Sequence, residues 1–124
     1  APEGTPVAAS QPPLVASIPI ADTPLRIGVT FLPDRDELLV AASGLAPDGV
    51  HDHELWLVPA GEDAQLQSLG LIVPGEERRV PLDPELAAMI HDGSQMVLTR
   101  EPLGGKPPAD PAGPVVGEGV FDAI

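Results

Sequence analysis

The chain has 124 residues, 43% of them hydrophobic, and a net charge of −13 from 6 basic and 19 acidic side chains. That length supports one domain with a single core, and the composition is too apolar for a disordered chain. So few basic residues assemble no positive groove, which excludes nucleic acid and an anionic membrane surface as partners; the absence of cysteine excludes a disulfide framework, a thiolate nucleophile and a Cys-based zinc site.

With 17 prolines and 13 glycines, long helices are disfavoured and short strands joined by turns are expected. Residues 1–13 (APEGTPVAASQPP) are small, Pro-rich and unpatterned, as in a flexible linker. Residues 14–124 then read as one β-sandwich domain. The first strand is expected over 14–20, with Pro19 marking an edge or a strand end. Over 25–31 the pattern alternates, with Leu25, Ile27, Val29 and Phe31 on one face and Arg26, Gly28 and Thr30 on the other. Pro33-Asp34-Arg35-Asp36 supplies a turn into a second run at 38–42, which predicts a hairpin.

Ala46-Pro47-Asp48-Gly49 is a further turn. It leads into His53-Glu54-Leu55-Trp56-Leu57-Val58, which carries the single tryptophan of a chain with two phenylalanines and no tyrosine. Leu55, Leu57 and Val58 leave neither face polar, which predicts a central strand covered on both sides, with Trp56 as the anchor of the core. A polar turn through Gly61-Glu62-Asp63 precedes a strand over 66–73, and Gly70 within it predicts a bulge. Residues 77–82 form the next strand. Asp83-Pro84-Glu85 opens a short helix over 84–90, with Asp83 as N-cap. The strand over 95–101 places Met96 and Leu98 on one face and Val97 and Thr99 on the other. A connection rich in proline and glycine, 102–114, leads to a last strand over 115–121. The sum is an all-β fold: an antiparallel β-sandwich, immunoglobulin-like in outline, with seven or eight short strands.

Residues with reactive chemistry are sparse. His51-Asp52-His53-Glu54 holds two histidines at a spacing that puts both on one face of a strand, and Asp52 or Glu54 would add an oxygen ligand. The same residues also read as a solvated strand entry, so His51 and His53 are weak metal candidates and no cofactor is expected. Ser43, Ser68 and Ser94 lie outside any G-x-S-x-G elbow. The acid pairs Asp34/Asp36, Glu62/Asp63 and Glu76/Glu77 fall in turns, where solvation is the default. Gly104-Gly105-Lys106 lacks the spacing of a phosphate loop. An enzyme is not expected. If buried, Glu101 needs backbone amides or Arg100 as partner. No apolar run reaches the roughly 20 residues needed to cross a bilayer, and no signal peptide is visible. A membrane-bound parent would therefore contain this chain as a soluble part.

Several segments together resemble a known family. They are His53-Glu54-Leu55-Trp56-Leu57-Val58, Ser68-Leu69-Gly70-Leu71, Leu98-Thr99-Arg100-Glu101-Pro102-Leu103-Gly104-Gly105 and Ala112-Gly113-Pro114-Val115-Val116, in that order. The chain is similar over about residues 25–121 to the C-terminal domain of the anti-sigma-K factor family, with Pro33-Asp34-Arg35 and Gly44-Leu45-Ala46-Pro47 fitting upstream. His53 and Glu54 stand where that family tends to show an aromatic and a glutamine, and Lys106 stands where it shows a small residue. The signature residues are Leu55, Trp56, Leu57, Gly70, Glu101, Pro102, Gly104, Gly105, Gly113 and Pro114, with a structural role expected for each.

The resemblance implies the extracytoplasmic sensing domain of a single-pass membrane anti-sigma factor. Its sigma-binding cytoplasmic domain and its transmembrane helix would both lie outside this chain, and a site-1-type protease would act on it outside the membrane. Residues 1–13 would be the tether next to the bilayer. The alternative is a stand-alone exported β-sandwich used for cell-surface adhesion or for copper or zinc binding.

Overall fold

The computed structural model describes residues 12–21, 23–42, 44–45, 49–60, 65–106 and 112–123. Ser43, most of the Ala46-Pro47-Asp48-Gly49 turn, the Gly61-Glu62-Asp63 turn and residues 1–11 of the expected linker lie outside them. Nine strands form two antiparallel sheets. They are β1 (Leu14–Pro19), β2 (Arg26–Leu32), β3 (Glu37–Ala41), β4 (His51–Val58), β5 (Gln67–Leu71), β6 (Glu77–Pro81), β7 (Gln95–Pro102), β8 (Val115–Val120) and β9 (Asp122–Ala123). The first sheet runs β6-β3-β2-β1-β9 and the second β5-β4-β7-β8. The chain leaves β3 for β4, returns to β6 beside β3, and crosses again to β7 beside β4. Those crossed connections are the Greek-key pattern of immunoglobulin-like sandwiches.

The alternation read in β2 is the observed one. Ile27, Val29 and Phe31 are buried, and they pack with Leu38 and Val40 of β3 and with Leu55, Leu57, Met96 and Leu98 of the second sheet. A 3-10 turn over Pro33–Arg35 closes the β2–β3 hairpin, and Asp36 follows it in the left-handed region at φ 48, a conformation that Asp tolerates better than most residues. The bulge expected at Gly70 is present as a register shift opposite Leu55 and Trp56. It has a packing cause. Leu69 and Ile72 are both buried in the core, and two residues three apart cannot share one face of a regular strand; one extra residue corrects the phase.

Three expectations are corrected. Strands number nine, because the last one breaks at Phe121, where the chain leaves the second sheet and β9 joins β1 in the first. The helix is one turn, Pro84–Ala87, shorter than 84–90; Asp83 holds the N-cap position without a side-chain cap bond. Such a short helix has little to offset its nucleation cost and rests on the burial of Ala87 and, beyond its end, Ile90. The third concerns Trp56, which lies outside the core between the sheets. Leu55 and Leu57 fill that core, so the period of two turns the indole to the opposite face.

One side of the sandwich is closed by glycine. A Cβ on Gly117 would stand 2.6 Å from the Pro19 carbonyl oxygen, and one on Gly119 2.7 Å from Ile18 Cγ1. β8 therefore packs directly on the backbone of β1. The other side ends in β5 and β6, both guarded against pairing with another chain. β5 carries the bulge, Pro81 closes β6, and Arg78 stands opposite Val40 on the core-facing side of its edge strand. Gly117→Ala is expected to lower stability by about 1–3 kcal/mol through overpacking. Gly28→Ala, whose Cβ meets nothing nearer than 3.9 Å, should be neutral or slightly stabilising; urea unfolding of the two variants checks both.

Candidate functional site

Every signature segment converges on the outer face of the β5-β4-β7-β8 sheet. On β4 the side chains of Asp52, Glu54 and Trp56 share that face by their spacing, and on β7 those of Val97, Thr99 and Glu101 do. Register brings the two rows together, with Trp56 opposite Val97, Glu54 opposite Thr99 and Asp52 opposite Glu101. Trp56 is only 7% exposed and Glu101 only 2%, so the middle of this face, over β4 and β7, is dry.

Its polar groups form three sets of hydrogen bonds. The Trp56 indole N–H donates to Thr99 Oγ1 at 2.8 Å. The Thr99 hydroxyl donates to Glu101 Oε2 at 2.6 Å. The Gly113 backbone N–H donates to the same oxygen at 2.8 Å. A second branch starts at Glu54, whose Oε2 accepts the Ser68 hydroxyl at 2.6 Å and whose Oε1 accepts the Lys106 backbone N–H at 3.2 Å. Ser68 Oγ in turn accepts the Gly70 N–H at 3.2 Å and so supports the bulge. In the third contact, Asp52 Oδ2 accepts the Gly104 N–H at 2.7 Å.

Three carboxylates, Asp52, Glu54 and Glu101, thus hold backbone amides at both ends of the crossover between β7 and β8. The geometry of that segment accounts for its residues. Gly105 N–H bonds the Pro102 carbonyl at 2.9 Å, closing a turn whose third residue, Gly104, sits at φ 91. That position calls for glycine, as in a type II turn. Gly113 is fixed by close approach, since a Cβ there would overlap the Arg100 carbonyl oxygen. Pro114 returns its carbonyl to the Arg100 N–H at 3.0 Å. Residues 107–111, including Asp110 and Pro111, lie outside the described residues.

The expected site residues sort clearly. Leu55 and Leu57 belong to the sandwich core, Gly70 to the bulge, and Glu101, Gly104 and Gly113 to the hydrogen-bonded network. The backbone amide that Glu101 needs is that of Gly113. Thr99, Ser68, Asp52 and Glu54 are further members that reading the residues one by one passed over. Their signal is parity: Asp52, Glu54 and Trp56 recur at a spacing of two, as do Thr99 and Glu101.

His51 and His53 stand at odd positions of the same strand, on the face opposite Asp52 and Glu54, whose carboxylates already accept backbone amides. Among the described residues, no three His, Asp or Glu side chains form a metal-holding group. Ser94 is brought to His91, with Oγ accepting the His91 backbone N–H at 2.9 Å and lying 3.1 Å from its Nδ1. This hydroxyl closes the turn into β7, a local side-chain-to-backbone bond. Ser68 faces a carboxylate.

Fold and network together define a small two-sheet domain whose buried polar chemistry is directed at its own crossover segment. A family model described as "Anti-sigma-K factor rskA, C-terminal" matches residues 2–115, and the chain belongs to that family. No curated protein and no solved structure matches it. Anti-sigma factors of this family are membrane-associated regulators, not typically enzymes, and a sigma factor is their partner. Among the described residues no helix is long and apolar enough to cross a membrane.

The network predicts a specific stability pattern. Thr99→Val leaves the Trp56 N–H and the Glu101 carboxylate short of a partner and is expected to cost about 2–4 kcal/mol, the sum of two unmet buried groups. Thr99→Ser keeps the hydroxyl and should cost less than half as much. Chemical denaturation of the two variants makes the comparison.

Proposed function

We propose that the chain is the extracytoplasmic regulatory domain of a single-pass membrane anti-sigma factor that controls an extracytoplasmic-function sigma factor. In this reading a cytoplasmic domain encoded upstream holds the sigma factor, and a transmembrane helix joins that domain to residues 1–13. The sandwich then stands outside the membrane as the part that receives the signal. Family membership over residues 2–115 is the observation that carries this reading. The site supports it by its chemistry, because the conspicuous buried acids accept hydrogen bonds from the domain's own amides and hydroxyls, as a stability device requires.

The mechanism follows from stability. A site-1-type protease acting outside the membrane needs an extended, accessible segment. The folded sandwich withholds residues 14–19 by pairing them with β2. The free energy of local opening then sets the basal rate of cleavage, and a ligand or partner that shifts this opening shifts release of the sigma factor. The outer-face network lies on β4 and β7, the central pair of the second sheet. It bears on this opening through the stability of the sandwich on which β1 closes.

Trp56→Ala removes a large buried side chain and one donor of the network and is expected to cost about 3–5 kcal/mol. In the intact membrane protein it should raise basal cleavage and sigma-dependent transcription in the absence of signal. Immunoblotting of the cleaved fragment beside a sigma-dependent reporter measures both. Unchanged cleavage in a variant shown to be folded but weakened contradicts the mechanism.

A further inference from the structure

Strand β1 is an addition to an otherwise complete sandwich. Without it, β2, β3 and β6 face β5, β4, β7 and β8, the seven-strand set that suffices for an immunoglobulin-like fold. On one side β1 pairs with β2 along its length, although Pro19 removes one N–H from that ladder. Among the described residues, the other main strand contacts of β1 are with β8 and β9. Ala21 N–H bonds the Val116 carbonyl at 2.8 Å. Gly117 and Gly119 sit directly on Ser17, Ile18 and Pro19. Leu14 and Val15 pair with Ala123 and Asp122 of β9. Between the two ends, Phe121 is fully buried and its ring centroid lies 6.4 Å from that of Phe31.

We infer that β1 is a separately opening strand held shut by the β8–β9 segment, and that this latch, closing on the sandwich that the outer-face network stabilises, gates access to residues 12–20. The strand that leads out of the tether is thus locked by residues at the opposite end of the sequence. Opening exposes Leu14, Ile18 and Ile20 but leaves the remaining two-sheet core in place. It frees residues 12–20 as extended chain continuous with residues 1–11 and lengthens the reach of a protease substrate by about 30 Å. A partner that captures β9, or a pull transmitted through the tether, acts on this latch first. The regulatory consequence rests on the function proposed above; the latch itself does not.

Amide hydrogen exchange on the 124-residue chain tests the latch directly. In the wild type, β1 amides should exchange faster than those of β4 and β7. In a chain ending at Phe121, which lacks β9, β1 amides should exchange about tenfold faster or more, while β4 and β7 amides keep their rates. Gly119→Val should act in the same direction, and the truncated chain keeps the test decisive if that variant does not fold. A Val15→Cys/Asp122→Cys pair, in a chain without cysteine of its own, should slow β1 exchange once oxidised and recover on reduction. Unchanged β1 exchange on truncation, or equal acceleration of β1, β4 and β7, overturns the latch. In the intact membrane protein the oxidised pair should suppress basal cleavage. If exchange responds as expected and cleavage does not, the latch stands and the proteolytic reading fails.

Discussion

A sheet that is buried along its centre on both faces needs a cover for each, and among the described residues no third layer of secondary structure supplies the second. This protein covers the inner face of β5-β4-β7-β8 with its other sheet. On the outer face it fastens its own crossover segment by hydrogen bonds. The fastening relies on side-chain carboxylates that accept backbone amides, from Asp52 to Gly104, Glu54 to Lys106 and Glu101 to Gly113. Amides of an irregular segment have no ladder partners and carry a penalty if buried without acceptors. Charged acceptors give shorter and stronger bonds than neutral ones. Acidic side chains are therefore part of the fold as well as of the charged surface.

This view changes what the signature residues mean. Trp56, Gly70, Glu101, Gly104 and Gly113 are far apart in sequence, yet they form or border three neighbouring sets of hydrogen bonds on one face, of which the Trp56–Thr99–Glu101 set is the buried one. Trp56 fills space and donates one bond. Thr99 relays it, since a hydroxyl accepts from the indole and donates to Glu101, and such chains strengthen each bond by polarising the next. Gly113 lets the backbone come close enough for Glu101 to reach it, and Gly104 supplies the positive φ of the turn that Asp52 holds. Loss of Thr99 or Glu101 leaves a buried partner unmet, which gives these residues a structural role.

The fold was legible where burial is one-sided. In β2 the alternation of Ile27, Val29 and Phe31 with polar neighbours allows only one orientation, and Pro33-Asp34-Arg35 fixes the hairpin. It was illegible where both faces are buried. In Glu54-Leu55-Trp56-Leu57-Val58 the period of two offers two apolar faces, and size alone pointed Trp56 to the main core. Its orientation is decided by partners forty or more residues away, Thr99 and the crossover, which no local pattern displays. The same distance hid the role of Asp52 and Glu54. Beside two histidines they suggested ligands or solvated acids, whereas their targets are amides in the 102–106 turn. The break at Phe121 was missed for a similar reason: a strand changes sheets because of what lies opposite it.

The central claim is that residues without direct contact act as one energetic unit on the outer face. A double-mutant cycle between Trp56→Phe, which removes the indole donor, and Glu101→Gln, which changes the terminal acceptor, tests it most directly. Among the described residues the two side chains are linked through Thr99, Trp56 to Thr99 at 2.8 Å and Thr99 to Glu101 at 2.6 Å. Coupling of about 1 kcal/mol or more in unfolding free energy is predicted. Additivity within about 0.3–0.5 kcal/mol, as for independent sites, would contradict the account.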